Sequence, residues 1–126
     1  MRLLIDTHIL IYFLEGNNLL SNSHQQIIAD SNNEILISIA SLWEMAIKIS
    51  IGKLTLLQPL EDVIKQIEAE DFEILTISPE HTLQVSTMPF YHRDPFDRII
   101  IAQCQVENLD IISNDTNFPA YNVKLL

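Results

Sequence analysis

Leu3-Leu4-Ile5-Asp6-Thr7-His8 is the stretch that decides the fold. A short apolar run that meets a carboxylate and passes at once into a helical pattern reads as a buried parallel strand. Asp6 then stands at its carboxyl end. In open α/β sheets ligands bind at that edge, because each strand hands over to a helix there and the helix N-termini face the crevice. The rest of the chain is read for further carboxylates arriving at the same edge.

The 126 residues suffice for one domain with a single core, spanning 1–126. Hydrophobic residues make up 48% of the chain and only 2 are glycine, the composition of a compact globular protein. No apolar stretch has the length of a membrane span and no signal peptide precedes the first strand, so a cytoplasmic protein with no membrane partner is expected. The lone Cys104 falls in an apolar helical pattern, as a buried structural thiol does. A formal charge of −10 excludes any general attraction to polyanions. A nucleic-acid substrate would need local cations.

Strand and helix signals alternate. Thr7 to Leu14 is an apolar helix stopped at Glu15-Gly16, and Ser21 to Ser31 is a second helix. Glu34 to Ser38 is a second strand, and a third helix opens at Ser41 and runs to Gly52. Pro59 starts a fourth helix with Leu60, Val63, Ile64 and Ile67 on one face. Phe72 to Ile77 is a third strand, with Ser78-Pro79 starting the next helix. Met88 to Arg93 holds Pro89 and precedes Pro95, so it is a loop. Asp94-Pro95 then caps a mostly buried helix through Cys104, Leu109 to Ser113 is a fourth strand, and Asn122 to Leu126 a short last one. The fold class is α/β, a mainly parallel sheet of four to five strands with helices on both faces.

This arrangement lets four acids meet: Asp6 and Asp115 after strands, Glu44 and Asp97 in the first turns of helices. Each also has a plain structural role available. Asp6 suits an N-cap, Glu44 can close a capping box with Ser41 or pair with Lys48, and Asp115 after Asn114 suits a turn. The Asp94-Pro95 pair has the form of a cap and first helical residue, which leaves Asp97 free to face the crevice. Acids gathered in one crevice raise each other's pKa unless a cation sits among them. Oxygen ligands without cysteine or paired histidine select Mg2+ or Mn2+, ions that activate water for attack at phosphorus.

With these residues in view, the chain resembles PIN-domain ribonucleases, and among them the VapC-type toxins of toxin–antitoxin pairs. The resemblance is carried by Leu4-Ile5-Asp6-Thr7-His8, by Ser38-Ile39-Ala40-Ser41-Leu42-Trp43-Glu44 with Ile47-Lys48 and Gly52-Lys53-Leu54, by His92-Arg93-Asp94-Pro95-Phe96-Asp97-Arg98 with Ile101-Ala102-Gln103, and by Ser113-Asn114-Asp115. It implies a single PIN-like nuclease domain that cleaves RNA with a metal held by Asp6, Glu44, Asp97 and Asp115. Asp94 matches a recurrent residue of the subgroup and is kept as support, and so are Thr7 and Ser113 beside the acids. It also implies a small antitoxin that blocks the site, often by inserting a basic side chain among the acids. The apolar helix Ile9 to Leu14 and the Leu54-Leu56-Leu57 stretch are candidates for that groove or for a homodimer face, and core burial accounts for both equally well.

Arg93, Arg98, Lys48 and Lys53 are the expected RNA-binding cations, with Arg93 favoured because it lies on the loop. Pairing of Lys48 with Glu44, or of Arg98 within its helix, is the competing expectation. His92 and Tyr91 on the same loop are candidates to stack a base. His8, His24 and His81 show no metal spacing. Other functions share parts of this pattern. A receiver-like phospho-signalling domain needs paired acids after the first strand and an acceptor aspartate after the third, where Thr76-Ile77-Ser78 stands instead. A catalytically silent PIN-fold binding or oligomerisation module shares the fold and is opposed by the intact set of four acids.

Overall fold

The computed structural model describes residues 1–126. Four strands, β1 (Arg2–Ile5), β2 (Glu34–Ser38), β3 (Glu73–Leu75) and β4 (Asp110–Ile112), form one sheet in the order β3-β2-β1-β4. Every pairing is parallel, with Leu4 opposite Leu36 and Ile111. Parallel neighbours need crossovers, and helices supply them: α1 (Thr7–Glu15), α2 (Asn22–Ala29), α3 (Ile39–Ser50), α4 (Leu60–Ala69), α5 (Pro79–Ser86) and α6 (Pro95–Glu107), with a 3-10 turn at Phe118–Tyr121.

Successive strand residues point to opposite faces, and both faces are covered. Leu3, Ile5, Ile35, Ile37 and Ile112 pack with Ile9 and Leu10 of α1, Ile28 of α2, Met45 of α3 and Val63 and Ile67 of α4. Leu4, Leu36 and Ile111 pack on the other face with Ile100, Ile101 and Cys104 of α6 and with Phe118 and Tyr121. The expected helix-covered parallel sheet is therefore found. The Cys104 thiol is buried, and burial pushes its pKa up to about 12, so it remains a thiol.

Three boundaries differ from the sequence reading. The third helix begins at Ile39 rather than Ser41, because the buried Ser38 hydroxyl accepts the Ala40 N–H at 3.0 Å as its cap. The third strand pairs only over Glu73–Leu75: Leu75 lies opposite Ser38, the last residue of β2, and α3 begins at the next residue. The expected last strand is reduced to one bridge between Ile111 and Leu125, since the 3-10 turn and the left-handed Asn122 take up the preceding residues.

Helix α1 ends at Gly16, whose φ of 63° is the left-handed conformation that glycine adopts without a Cβ penalty. The helix proves to be core: Ile9 and Leu10 are fully buried, and Ile11 to Leu14 pack partly buried against the same cluster. Leu54 and Leu56 also pack partly buried against this cluster, and with the exposed Leu57 they line an open apolar groove of about 660 Å³ between the end of α3 and the start of α4.

Candidate active site and metal centre

Each acid reaches the carboxyl edge by a different route. Asp6 follows β1 and caps α1, accepting the Ile9 N–H at 3.0 Å. The capping residue is thus also within reach of the Glu44 charge. Burial raises its carboxyl pKa, the Ser113 hydroxyl and the Ile9 N–H oppose that rise, and the charge of Glu44 adds to it.

Glu44 lies in the second turn of α3 and is only 5% exposed. Its Oε1 accepts the Thr7 hydroxyl at 2.8 Å, and its Oε2 is paired with Lys48 one turn on. The Ser41 hydroxyl stands 2.8 Å from Thr7 Oγ1; with the threonine proton given to Glu44, serine is the donor there. Glu44 and the pair Thr7 and Ser41 thus form one buried network.

Asp97 is the third residue of α6, whose cap is Asp94: its Oδ1 accepts the Phe96 N–H at 2.8 Å and the Asp97 N–H at 3.4 Å. Asp94 takes the capping position expected of it, and Asp97 lies among the clustered acids. Asp97 is pushed up from 3.8 to about 6, first by burial and then by Asp94, with Glu44 and Asp115 adding and His92 opposing. Asp115 follows β4, its Oδ1 accepting the Asn117 N–H at 2.9 Å and its Oδ2 meeting His92 Nε2. The buried Ser113 hydroxyl accepts the Asp115 N–H at 3.0 Å.

The donor set fits a hard divalent ion. Asp97, Asp115 and His92 each offer one atom, all within 4.8 Å of one another, and Glu44 and Asp6 belong to the same electrostatic cluster. Lys48 is the cluster's internal cation: Glu44 chiefly, then Asp94 and Asp97, raise its pKa above the ordinary 10.5. The expected pairing of Lys48 with Glu44 is therefore present.

Arg98 corrects an expectation. It is not an exposed RNA cation but 7% exposed, donating to the carbonyls of Val85, Met88, Pro89 and His92, with its guanidinium 4.2 Å above the Phe90 ring. The carbonyls of Met88, Pro89 and His92 lie outside any helix or strand, and the planar N–H donors gather these three together with the Val85 carbonyl at the end of α5. Arg93 and Lys53 remain exposed, and Arg93 lines a shallow apolar cleft with Trp43, Ile77, Phe90 and Pro95.

His92 is the residue whose place the sequence reading missed. Instead of standing free to stack a base, its side chain is 8% exposed, seated against Phe118 and bonded to Asp115. Twenty-three residues separate the two, so no local spacing signals the contact. Tyr121 joins them from the 3-10 turn. His81 is structural, closing a capping box with Ser78 and meeting Glu107.

Comparisons with known proteins agree with this architecture. Chains in several solved structures are similar in fold. VapBC2 from Rickettsia felis, bound to a DNA fragment from its promoter, matches at a TM-score of 0.72 and 19% identity, over 100% of this chain and 98% of that one. A toxin–antitoxin complex from Klebsiella pneumoniae matches at 0.66 and 20%, over 98% and 95%. VapBC-1 from nontypeable Haemophilus influenzae matches at 0.66 and 19%, over 100% and 97%. No curated protein sequence matches the chain. The PIN domain model matches residues 3–124, nearly the whole length, and the chain belongs to the PIN domain family.

Proposed function

We propose that this PIN domain is a Mg2+- or Mn2+-dependent endoribonuclease and the toxin of a toxin–antitoxin pair. PIN domains are nuclease domains, and the fold neighbours are toxin–antitoxin complexes. The observation that carries the reading is the gathering of acids at one edge: carboxylate oxygens of Asp97 and Asp115 lie within 4.8 Å of each other, and the charge of Glu44 acts on both Asp97 and Asp6. Such a cluster is stabilised by a bound cation, and its oxygen donors suit Mg2+ or Mn2+.

Asp6, Glu44, Asp97 and Asp115 would hold the ion. When bound it supplies a polarised water and neutralises charge developing on the phosphate. The chain's own groups prepare that chemistry. Thr7 fixes one oxygen of Glu44 and Lys48 the other, so this carboxylate is oriented before any ligand arrives. The Ile9 N–H and the Ser113 hydroxyl do the same for Asp6. One of these carboxylates would orient or deprotonate the attacking water. Arg93 and Lys53 supply exposed cations for RNA phosphates in a chain of net charge −10. The apolar groove at Leu54, Leu56 and Leu57 offers a seat for the antitoxin or for a second copy in a homodimer.

The test is cleavage of a labelled structured RNA pool by the purified chain with Mg2+, Mn2+ or EDTA, beside Asp6→Asn prepared identically. Metal-dependent cleavage absent from the variant is expected. A folded, inhibitor-free chain that cleaves nothing with any metal would make the domain a binding module.

A further inference from the structure

Three of the four acids are held by helices. Asp6 caps α1, Glu44 lies within α3, and Asp97 sits in the first turn of α6. Asp115 is on no helix; it follows a three-residue edge strand, and its side chain is 31% exposed. Hydrogen bonds alone must fix the direction of its carboxylate. Oδ1 accepts the Asn117 N–H, and Oδ2 faces His92 Nε2.

The proton on that histidine can be located from its other contacts. Tyr121 is buried, and its hydroxyl oxygen accepts the backbone N–H of His92 at 2.7 Å. Its own proton has one acceptor within reach, His92 Nδ1 at 3.0 Å. A proton on Nδ1 would leave the buried tyrosine O–H with no acceptor, the costly state of an unsatisfied buried donor. The proton therefore lies on Nε2, and Nε2 donates to Asp115 Oδ2. Both ring nitrogens are engaged, so neither offers a lone pair to a cation, although the ring stands within 4.8 Å of two acids.

We infer that His92 is the positioning residue of Asp115, locked as its Nε2–H tautomer by Tyr121, and not itself a metal ligand. The lock is anchored at both ends. Arg98 binds the His92 carbonyl at 3.2 Å together with three other carbonyls of the loop region, and Phe118 of the 3-10 turn packs its ring against the imidazole. Arg98 thereby joins the site indirectly, by fixing the loop that carries His92. An outer hydrogen bond of this kind orients a ligating carboxylate, and its loss typically costs about 10–100-fold in metal affinity.

The inference rests on the metal-site reading above, and two measurements on the full chain separate the two. The first is the ring 15N spectrum of His92 in metal-free protein, assigned by comparison with His92→Gln. A proton on Nε2 is expected, shifting toward mixed tautomers in Tyr121→Phe; a proton on Nδ1, or on both nitrogens, overturns the inference whatever the metal does. The second is Mn2+ affinity by calorimetry. His92→Ala should weaken binding about 10-fold or more, and His92→Gln, whose amide N–H can still donate to Asp115, should recover most of it. Equal affinity in His92→Ala shows that Asp115 needs no positioning, and equal loss in His92→Ala and His92→Gln shows that His92 ligates directly; either result overturns the inference. If the wild type binds no Mn2+ while its spectrum shows the Nε2–H tautomer bonded to Asp115, the metal reading fails and the positioning stands.

Discussion

The Thr7 hydroxyl donates to Glu44 Oε1 at 2.8 Å, joining the first turn of α1 to the second turn of α3 beneath the acidic cluster. Both residues are buried, and Ser41 completes the network. Thr7→Val keeps the shape but removes the donor, leaving a buried carboxylate oxygen and the Ser41 hydroxyl short of a partner. A loss of about 1–3 kcal/mol follows, read by urea unfolding, and Thr7→Ser should restore most of it. Cleavage should fall in the valine variant and recover in the serine one.

Asp97 gives the metal-free protein a specific pH dependence. An acid whose folded pKa is raised binds its proton more tightly when folded, so its effect on stability is least adverse in acid. Between about pH 4 and about pH 6, therefore, this group lowers stability as pH rises, and its effect is level above that. The lift from 3.8 to about 6 corresponds to roughly 3 kcal/mol at 1.36 kcal/mol per pH unit, a ceiling because neighbouring acids relax. Asp97→Asn should therefore abolish cleavage while stabilising the metal-free chain by roughly 1–3 kcal/mol at pH 7 and removing this contribution to its melting profile. A destabilised variant with an unchanged profile would show that the charge on Asp97 is not under repulsion.

Asp94 and Asp97 separate structural from chemical need three residues apart. Asp94→Asn should retain much of the activity, because asparagine caps as well as aspartate. Asp94→Ala should cost about 1 kcal/mol in thermal unfolding, since the Phe96 and Asp97 N–H groups lose their acceptor. Complete loss of cleavage in Asp94→Asn, with stability unchanged, would place Asp94 among the reacting groups.

What was readable in advance follows from which contacts are local. Leu3-Leu4-Ile5 and Ile35-Leu36-Ile37 alternate between two covered faces, so an unbroken apolar run is sufficient signal for a parallel strand. Asp6 and Asp115 follow strand ends and Asp97 opens a helix, positions that the α/β pattern brings to one edge, whereas Glu44 arrives there from the second turn of α3. Strand ends were less legible, because the length of β3 is set by where its partner β2 turns into α3. Arg98 and His92 were misplaced because their partners lie in a loop and in a distant 3-10 turn. A cation on a helix beside acids has the same local pattern whether it faces phosphate or four carbonyls.

Arg93 and Arg98, five residues apart, should consequently fail in different ways. Arg93 is exposed at the cleft edge, so Arg93→Ala should leave the melting temperature nearly unchanged and weaken RNA binding at low salt. If it holds one phosphate, the slope of log affinity against log salt should drop by about 0.7 for a single strand. Arg98→Met should instead leave the Met88, Pro89 and His92 carbonyls without their donor, losing several kcal/mol of stability and exposing the 87–93 loop to proteolysis. Arg98→Lys should not rescue it, because an ammonium has three donors and no planar fork to reach the same carbonyls. Salt titration and limited proteolysis of the variants distinguish the two roles. Equal salt slopes in wild type and Arg93→Ala would remove Arg93 from the RNA contacts.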